Sequence, residues 1–120
     1  MKQGKKASGG KYKKPRKKKL FEMAGQKNNV KLGDEKRKTK ATRGKNKKSF
    51  LLQGKIVNVT DGKKITKQEI KNVFQTPSNR FLARQNIITK GAIVETASGK
   101  VRITNRPTKE GNLNGVMVKE

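Results

Sequence analysis

The stretch AIVETASGKVRIT, residues 92–104, contains the clearest structural signal in the sequence. Apolar and polar residues alternate on both sides of Ser98 and Gly99, as in two antiparallel strands joined by a two-residue turn. Setting Ala97 opposite Lys100 gives these cross-strand pairs: Thr96 with Val101, Glu95 with Arg102, Val94 with Ile103, and Ile93 with Thr104. One face then carries Val94, Thr96, Val101 and Ile103, and the other pairs Glu95 with Arg102 by opposite charge. We therefore predict a β-hairpin.

Other short strands are expected in the second half of the chain. The branched and apolar residues predict strands over residues 49–53, 55–60, 86–89 and 113–118, a turn at Asp61 and Gly62, and a loop over residues 106–112. Short strands with glycine turns between them protect their edges by closing on one another. The sequence therefore predicts an all-β domain over residues 49–120, a small curled sheet or barrel of about six short strands.

The stretch ITKQEIKNVFQT, residues 65–76, fits two kinds of secondary structure. Thr66 and Glu69 are spaced as in a helical capping box. Ile70, Asn72 and Phe74, however, alternate as they would in a strand. Taken alone, these residues favour a helix.

The segment SNRFLAR after Pro77 is expected to form a single helical turn. Ser78 is a suitable N-cap for such a turn. Phe81 and Leu82 are then expected to anchor it to the core.

The first half of the chain is strongly basic. The whole sequence has a formal net charge of +25, with 33 Lys and Arg against 8 Asp and Glu. Residues 1–50 hold 20 of these basic residues against 3 acids, and their few large apolar groups follow no regular period. Such a segment cannot offset its chain entropy by burial. We therefore predict that residues 1–48 form a basic, glycine-containing, extended arm with no core of its own, disordered when free.

The residue types in this sequence give little support for an enzymatic function. The sequence has no Cys and no His, which excludes disulfides, thiolate metal sites and the commonest general base. The spacing of Gly4 and Gly9 matches part of a phosphate-binding loop, but Gly10 stands where the lysine of that loop belongs. The acidic residues are mostly isolated among lysines. We predict a non-enzymatic protein without a cofactor or metal site.

A nucleic acid is the partner class that the charge favours. Clustered Lys and Arg neutralise phosphates and release counterions. The run KKPRKKK is also weakly typical of nuclear-import signals. Gly9, Gly10 and Pro15 break any amphipathic membrane helix in the most basic stretch, and no DNA-recognition helix is visible. Folded RNA, whose narrow clefts suit a thin arm, fits better.

The candidate RNA-binding residues are cations and the flexible residues between them. Glycines let the backbone pass close to a sugar–phosphate surface, and Tyr12, Phe21 and Phe50 are candidates for base stacking or for packing on the barrel. The candidates are Lys5, Lys6, Ser8, Gly9, Gly10, Lys11, Lys13, Lys14, Arg16, Lys17, Lys18, Lys19, Arg37, Lys38, Lys40, Arg43, Gly44, Lys45, Asn46, Lys47, Lys48, Arg80, Arg84, Lys90 and Arg106.

Four stretches together resemble one protein family. They are KKASGGKYKKPRKKKLFEM, KLG, RGKNKK and, above all, ARQNIITKGAIVETASGKVRITNRPTKEGNLNGVMVKE. Over essentially the whole chain the sequence resembles the eighth e-type protein of the small ribosomal subunit of archaea and eukaryotes, with the archaeal form closer. The resemblance implies a structural protein that binds ribosomal RNA through a basic arm and a β-barrel, next to other small-subunit proteins in the cytoplasmic ribosome. It implies no membrane or small-molecule partner, and it makes residues 65–76 a strand.

Individual positions match the motifs of the resembled family. They are Ser8, Gly9, Gly10, Lys11, Arg16 and Lys18 in the N-terminal motif; Arg43, Gly44, Asn46 and Lys48 in the central motif; and Lys90, Gly91, Arg106 and Pro107 in the C-terminal block. The chain departs from the family at Met23, Ala24 and Gly25, and at Lys45, where the family has a second glycine. An assembly factor related to the same family and a non-specific nucleic-acid-binding protein remain alternative functions.

Overall fold

The computed structural model describes residues 4–13, 15–25, 27–62 and 64–118. Its elements follow one another along the chain as a 3₁₀ helix Leu20–Glu22, β1 Val30–Leu32, β2 Lys36–Ala41, β3 Lys47–Gly54, β4 Ile56–Asp61, β5 Lys64–Gln75, α1 Arg80–Arg84, β6 Ile87–Ile88, β7 Ile93–Thr96, β8 Gly99–Ile103, α2 Pro107–Glu110 and β9 Asn114–Met117. The predicted all-β class is confirmed. No helix in the described ranges is long and apolar enough to cross a membrane.

Five strands close into a barrel in the order β4-β5-β7-β8-β9. Four neighbouring pairs are antiparallel, and the parallel pair of β9 with β4 completes the ring. Closure leaves no free edge in this sheet. The barrel is filled by branched side chains: Val57, Val59, Ile70, Val73, Val94, Val101 and Ile103 are all buried. The predicted barrel is therefore confirmed.

A second sheet, in the order β2-β3-β1-β6, lies beside the barrel. Its short strand β1 runs parallel to β3, and Val30 of β1 is fully buried in the same apolar cluster as the barrel side chains. Strands β1 and β2 lie before residue 49, where the sequence pattern predicts no strand. The pairing of β6 with β1, outside the barrel, is likewise not predicted by the sequence pattern. The division at residue 48 and the disorder of the free arm remain predictions.

The hairpin of β7 and β8 forms, but its predicted register was wrong by two residues. Thr96 pairs with Gly99 and Val94 with Val101, so Ala97 and Ser98 make the turn. Gly99 has a φ of 130°, and the Thr96 hydroxyl donates to its carbonyl oxygen at 2.9 Å. Because a shift of two residues leaves every side chain on its face, the predicted inward set is still buried. Glu95 faces Lys100 instead of Arg102.

Residues 65–75 lie in strand β5, as the family resemblance implies, and not in the helix that the local pattern favoured. Two register irregularities against β7, one between Ile70 and Asn72 and one between Val73 and Gln75, let the strand bend around the barrel. They place both Ile70 and Val73 inside although these residues are three apart. A helix-like spacing of apolar residues thus arises from a bulged strand.

Two predictions about short segments need correction. The single turn α1 is capped by the side chain of Asn79, which accepts from Phe81 N at 3.0 Å, and not by Ser78. Phe81 is exposed and does not anchor the turn to the core. The expected loop over residues 106–112 contains the short helix α2, which ends at Gly111 with a φ of 73°.

Replacing Gly115 by Ala should destabilise the barrel. A Cβ atom at this position would clash with Val101 Cγ1 and would lie 3.1 Å from the Arg102 carbonyl oxygen. We expect Gly115→Ala to lower the free energy of unfolding by about 1–3 kcal/mol, measured by urea denaturation. Val116→Ala, at an exposed position of the same strand, is the control and should cost less than about 1 kcal/mol. Equal effects of the two substitutions would contradict tight closure at Gly115.

Candidate nucleic-acid interface

The antiparallel pair β2 and β3 carries the densest group of candidate cations. Every residue of β2 is exposed, as are Lys47 and Lys48 at the start of β3. Lys40 lies directly opposite Lys48 in the ladder. Like charges in directly opposed positions repel each other and destabilise a strand pair. This hairpin therefore concentrates positive charge that the fold itself does not need.

The tip of this hairpin is a tight loop that presents Arg43 and Lys45 to solvent. Thr42 N donates to the Asn46 carbonyl oxygen at 2.7 Å, and the Thr42 hydroxyl donates to the same oxygen at 2.8 Å. Gly44 and Lys45 both have positive φ, 85° and 65°. Lys45 thus adopts a conformation that favours glycine. This position places a cation in the turn.

Few of the candidate cations have an ion-pair partner. Among the described residues the salt bridges are Arg16–Glu22, Arg37–Glu35 and Lys55–Glu69. Of the candidates, only Arg16 and Arg37 take part in them. The described residues also contain no group of three or more acidic side chains that could hold a metal ion. Within the described ranges, the other candidate cations take part in no salt bridge.

The N-terminal segment forms a small turn of its own around Gly9. Gly9 N donates to the Lys6 carbonyl oxygen and Lys6 N to the Gly10 carbonyl oxygen, both at 2.8 Å. Gly9 has a φ of 78°, and a single bridge joins Lys5 to Lys11. Ser8 and the lysines of this turn are exposed. The two glycines therefore reverse the chain and display cations on both sides.

Arg16 is the candidate that the structure places in a different environment. Its guanidinium donates to both carboxylate oxygens of Glu22, at 2.8 and 2.5 Å. The Lys19 N–H adds a third hydrogen bond to Glu22 at 3.0 Å. These contacts, chiefly the one with Arg16, lower the pKa of Glu22. Glu22 therefore competes with an RNA phosphate for the charge of Arg16.

The other candidates of the basic run are exposed and make no ion pair among the described residues. They are Lys13, Lys17, Lys18 and Lys19. Lys19 Nζ lies 5.8 Å from the centre of the exposed Phe21 ring. Lys14 lies outside the described residues.

Lys90 and Arg106 line the same small cleft, although they are far apart in the sequence. Asn28, Asn29, Thr89 and Thr108 supply the rest of its polar lining. The Thr89 hydroxyl oxygen is buried and has no hydrogen-bond partner among the described residues. Two cations and two side-chain amides are a donor set that suits a phosphate.

The sequence analysis named the two cations of this cleft but not its two asparagines. Asn28 and Asn29 precede β1, and the pairing of β1 with β6 brings them beside Thr89 and Lys90. No local pattern marks two asparagines as members of a site. Only the proximity of β6 and α2 to the first strand reveals them.

The cations of α1 form a separate group. Arg80 and Arg84 are exposed on this single turn, which packs against β5 and β6. The candidates are thus distributed over several surfaces: the N-terminal segment, the β2–β3 hairpin with its tip, the cleft of Lys90 and Arg106, and α1.

Comparison with known proteins identifies the family of this chain. The family model described as ribosomal protein S8e matches residues 1–118. The chain belongs to this family. Two similar curated proteins, each named small ribosomal subunit protein eS8, come from Haloarcula marismortui, 37% identical over 113 residues, and Methanococcoides burtonii, 40% identical over 116 residues. Each alignment covers 94% of this chain and 92% of the relative.

Membership in the S8e family confirms the resemblance drawn from the sequence. A third relative with the same name, from Halorubrum lacusprofundi, is 36% identical over 113 residues. The S8e protein is a structural protein of the small ribosomal subunit and not an enzyme. The role of such a protein depends on the contacts of its surface and not on a catalytic group.

The ion pair of Arg16 with Glu22 predicts a pH-dependent contact. Because the pKa of Glu22 is lowered in the folded turn, the pair stabilises that turn at neutral pH and is lost as pH falls through the folded pKa. We expect Arg16→Gln to raise the titration midpoint of the Glu22 carboxylate, followed by carbon-detected NMR. Arg43→Gln removes the same charge elsewhere and should leave the midpoint unchanged. If the titration midpoint of Glu22 is the same in Arg16→Gln as in the native chain, the ion pair does not form in solution.

Proposed function

We propose that this S8e-family protein binds small-subunit ribosomal RNA through its basic N-terminal segment, the β2–β3 hairpin and the cleft of Lys90 and Arg106. It lies in the cytoplasmic ribosome beside other small-subunit proteins. The barrel positions these surfaces, and the cations neutralise RNA phosphates. The name shared by the curated relatives, small ribosomal subunit protein eS8, supports this assignment.

The observation that carries the proposal is the opposition of Lys40 and Lys48. Neither lysine has an ion-pair partner among the described residues, and the two strands pair despite their repulsion. A polyanion that follows the hairpin supplies the missing negative charge. RNA does so with one phosphate for each nucleotide, and each contact releases counterions.

The shape of the molecule supports contact with a folded RNA. The radius of gyration is 21.2 Å, and the principal extents are 68 × 37 × 28 Å. A compact domain of the same length has a radius of about 14 Å. The excess comes from extensions with little apolar burial of their own, which suit the clefts between RNA helices. Within the predicted arm, Val30 of β1 is buried in the core and β2 pairs with β3, so we propose that the basic segment before β1 is the part that orders on RNA.

Sedimentation of a cell lysate tests the assignment to the mature ribosome. We expect this chain to migrate with free small subunits and with translating ribosomes. Presence only in precursor particles would favour the alternative role of an assembly factor. Binding of the purified protein to ribosomal RNA and to random duplex DNA at matched salt is the second measurement. Equal affinities would favour a non-specific nucleic-acid-binding protein instead.

Lys48→Glu should change stability and RNA affinity in opposite directions. The introduced carboxylate would lie opposite Lys40, and this pairing of unlike charges should stabilise the free hairpin by about 0.2–1 kcal/mol. RNA binding should weaken, and the plot of log affinity against log salt should become flatter by about one phosphate contact or more. Amide hydrogen exchange reports the first effect, and a salt series of binding titrations reports the second.

The matched control for this prediction is Lys71→Glu. Lys71 is exposed on β5 of the barrel, outside the hairpin, and the substitution changes the net charge by the same amount. We expect it to affect the salt dependence less than Lys48→Glu does. If Lys48→Glu and Lys71→Glu weaken RNA binding equally, net charge alone drives the association and the hairpin makes no specific contribution to RNA binding.

A further inference from the structure

Two phenylalanines of the barrel domain lie on its surface. Phe74 on β5 is 53% exposed, and Phe81 on α1 is 66% exposed. The core is filled by aliphatic side chains and needs neither ring. The burial of large aromatic groups away from water is favourable, so a partner that covers these two rings would gain binding free energy.

A cation lies over each of the two rings. Lys100 Nζ is 5.0 Å from the centre of the Phe74 ring, and Arg84 Cζ is 5.9 Å from that of Phe81. Such cation–π contacts hold a positive group beside an aromatic face. Each pair thus places an exposed aromatic ring next to a cation.

The two pairs are held by neighbouring elements of the fold. The chain turns from β5 into α1 through a hydrogen bond of 3.1 Å from Asn79 N to the Thr76 carbonyl oxygen. The side chain of Asn79 accepts from Phe81 N at 3.0 Å, and α1 packs against β5. Both rings therefore stand on ordered backbone, and Arg80 is exposed on the same turn.

Unpaired nucleobases are the ligands that match this chemistry. A base stacks on an aromatic face regardless of its identity, and its own phosphate can meet the cation beside that face. A duplex offers no free base faces along its length. An apolar protein partner would cover the rings only by removing two cations from water as well, which costs free energy.

We propose that Phe74 with Lys100 and Phe81 with Arg84 are stacking sites for unpaired bases of RNA. This inference rests on the proposed function, that the chain binds RNA. It adds the kind of RNA that the barrel surface contacts: a single-stranded loop, bulge or end, in contrast to the phosphates that the basic extensions bind.

Binding of the full chain to two short oligomers tests this inference. One is an unstructured oligouridine, and the other is an abasic ribose–phosphate oligomer of the same length. Affinity is measured over a salt series for the native chain and for the Phe74→Leu, Phe81→Leu double variant. Leucine keeps an apolar side chain but has no aromatic face. Extrapolation to high salt isolates the part of the affinity that does not come from phosphate contacts.

We expect the double variant to bind oligouridine at least about tenfold more weakly at high salt. The slope against salt should stay the same, because no charge is removed. Binding of the abasic oligomer should not change. The unfolding midpoint should also hold, since both rings are exposed.

Ile65→Ala is the matched control. Ile65 is 71% exposed on the same strand as Phe74, and no cation–π contact is possible for it. We expect its substitution to leave both oligomer affinities unchanged. A loss equal to that of the phenylalanine variant would overturn the stacking inference in favour of a general apolar effect.

Other outcomes separate this inference from the proposed function. If the double variant binds oligouridine like the native chain, with the same steep salt dependence, the stacking sites are refuted and RNA binding stands. If the variant keeps its RNA affinity but loses another protein of the small subunit in reconstitution, the rings contact protein and the inference is overturned. If the native chain binds neither oligomer with a salt-dependent affinity, both proposals fail.

Discussion

The parallel pairing of β9 with β4 is the contact on which the rest of the structure depends. Without it, the strands β4, β5, β7, β8 and β9 would form an open sheet with two free edges and a half-covered core. Its register pairs Gly115 with Val59, and the absence of a side chain at Gly115 leaves room for Val101 of β8 on the other side. The enclosed space is then small enough for valine and isoleucine to fill. No aromatic side chain is buried in the described residues, because this core has no room that requires one.

The closed barrel also explains why the basic side chains lie outside the core. A net charge of +25 opposes any compact state, and the apolar cluster takes little from the basic half of the chain. Val30 of β1 joins that cluster and ties the basic half of the chain to it. Beyond this attachment, β2 lies at the edge of its sheet with every side chain exposed. Its lysines discourage pairing with another protein strand and favour contact with phosphate. The lysine-rich composition of β2 therefore both protects the sheet edge and provides a surface for phosphate.

Local patterns succeeded where one side of a strand faces the core. The inward residues of β7 and β8 followed from their alternation, and they stayed inward even though the turn lies one residue earlier than predicted. The pattern failed at β5, where bulges mimic helical spacing, and the family resemblance supplied the correct assignment. The prediction that Phe81 packs into the core was also wrong, because the sequence of a short segment does not determine which of its apolar side chains the core can accommodate. β1 and β2 were missed since their surroundings are too basic to resemble strands.

Composition and order of residues were enough to establish the all-β class, the basic first half, the family and most cations of the candidate interface. These properties depend on single residues or on neighbours a few positions apart. Closure of β9 on β4, insertion of β1 between β3 and β6, and the meeting of Asn28 with Lys90 and Arg106 came from the folded chain alone. Each joins segments many residues apart, and such contacts arise from the packing of the whole core, which leaves no period or spacing in the sequence.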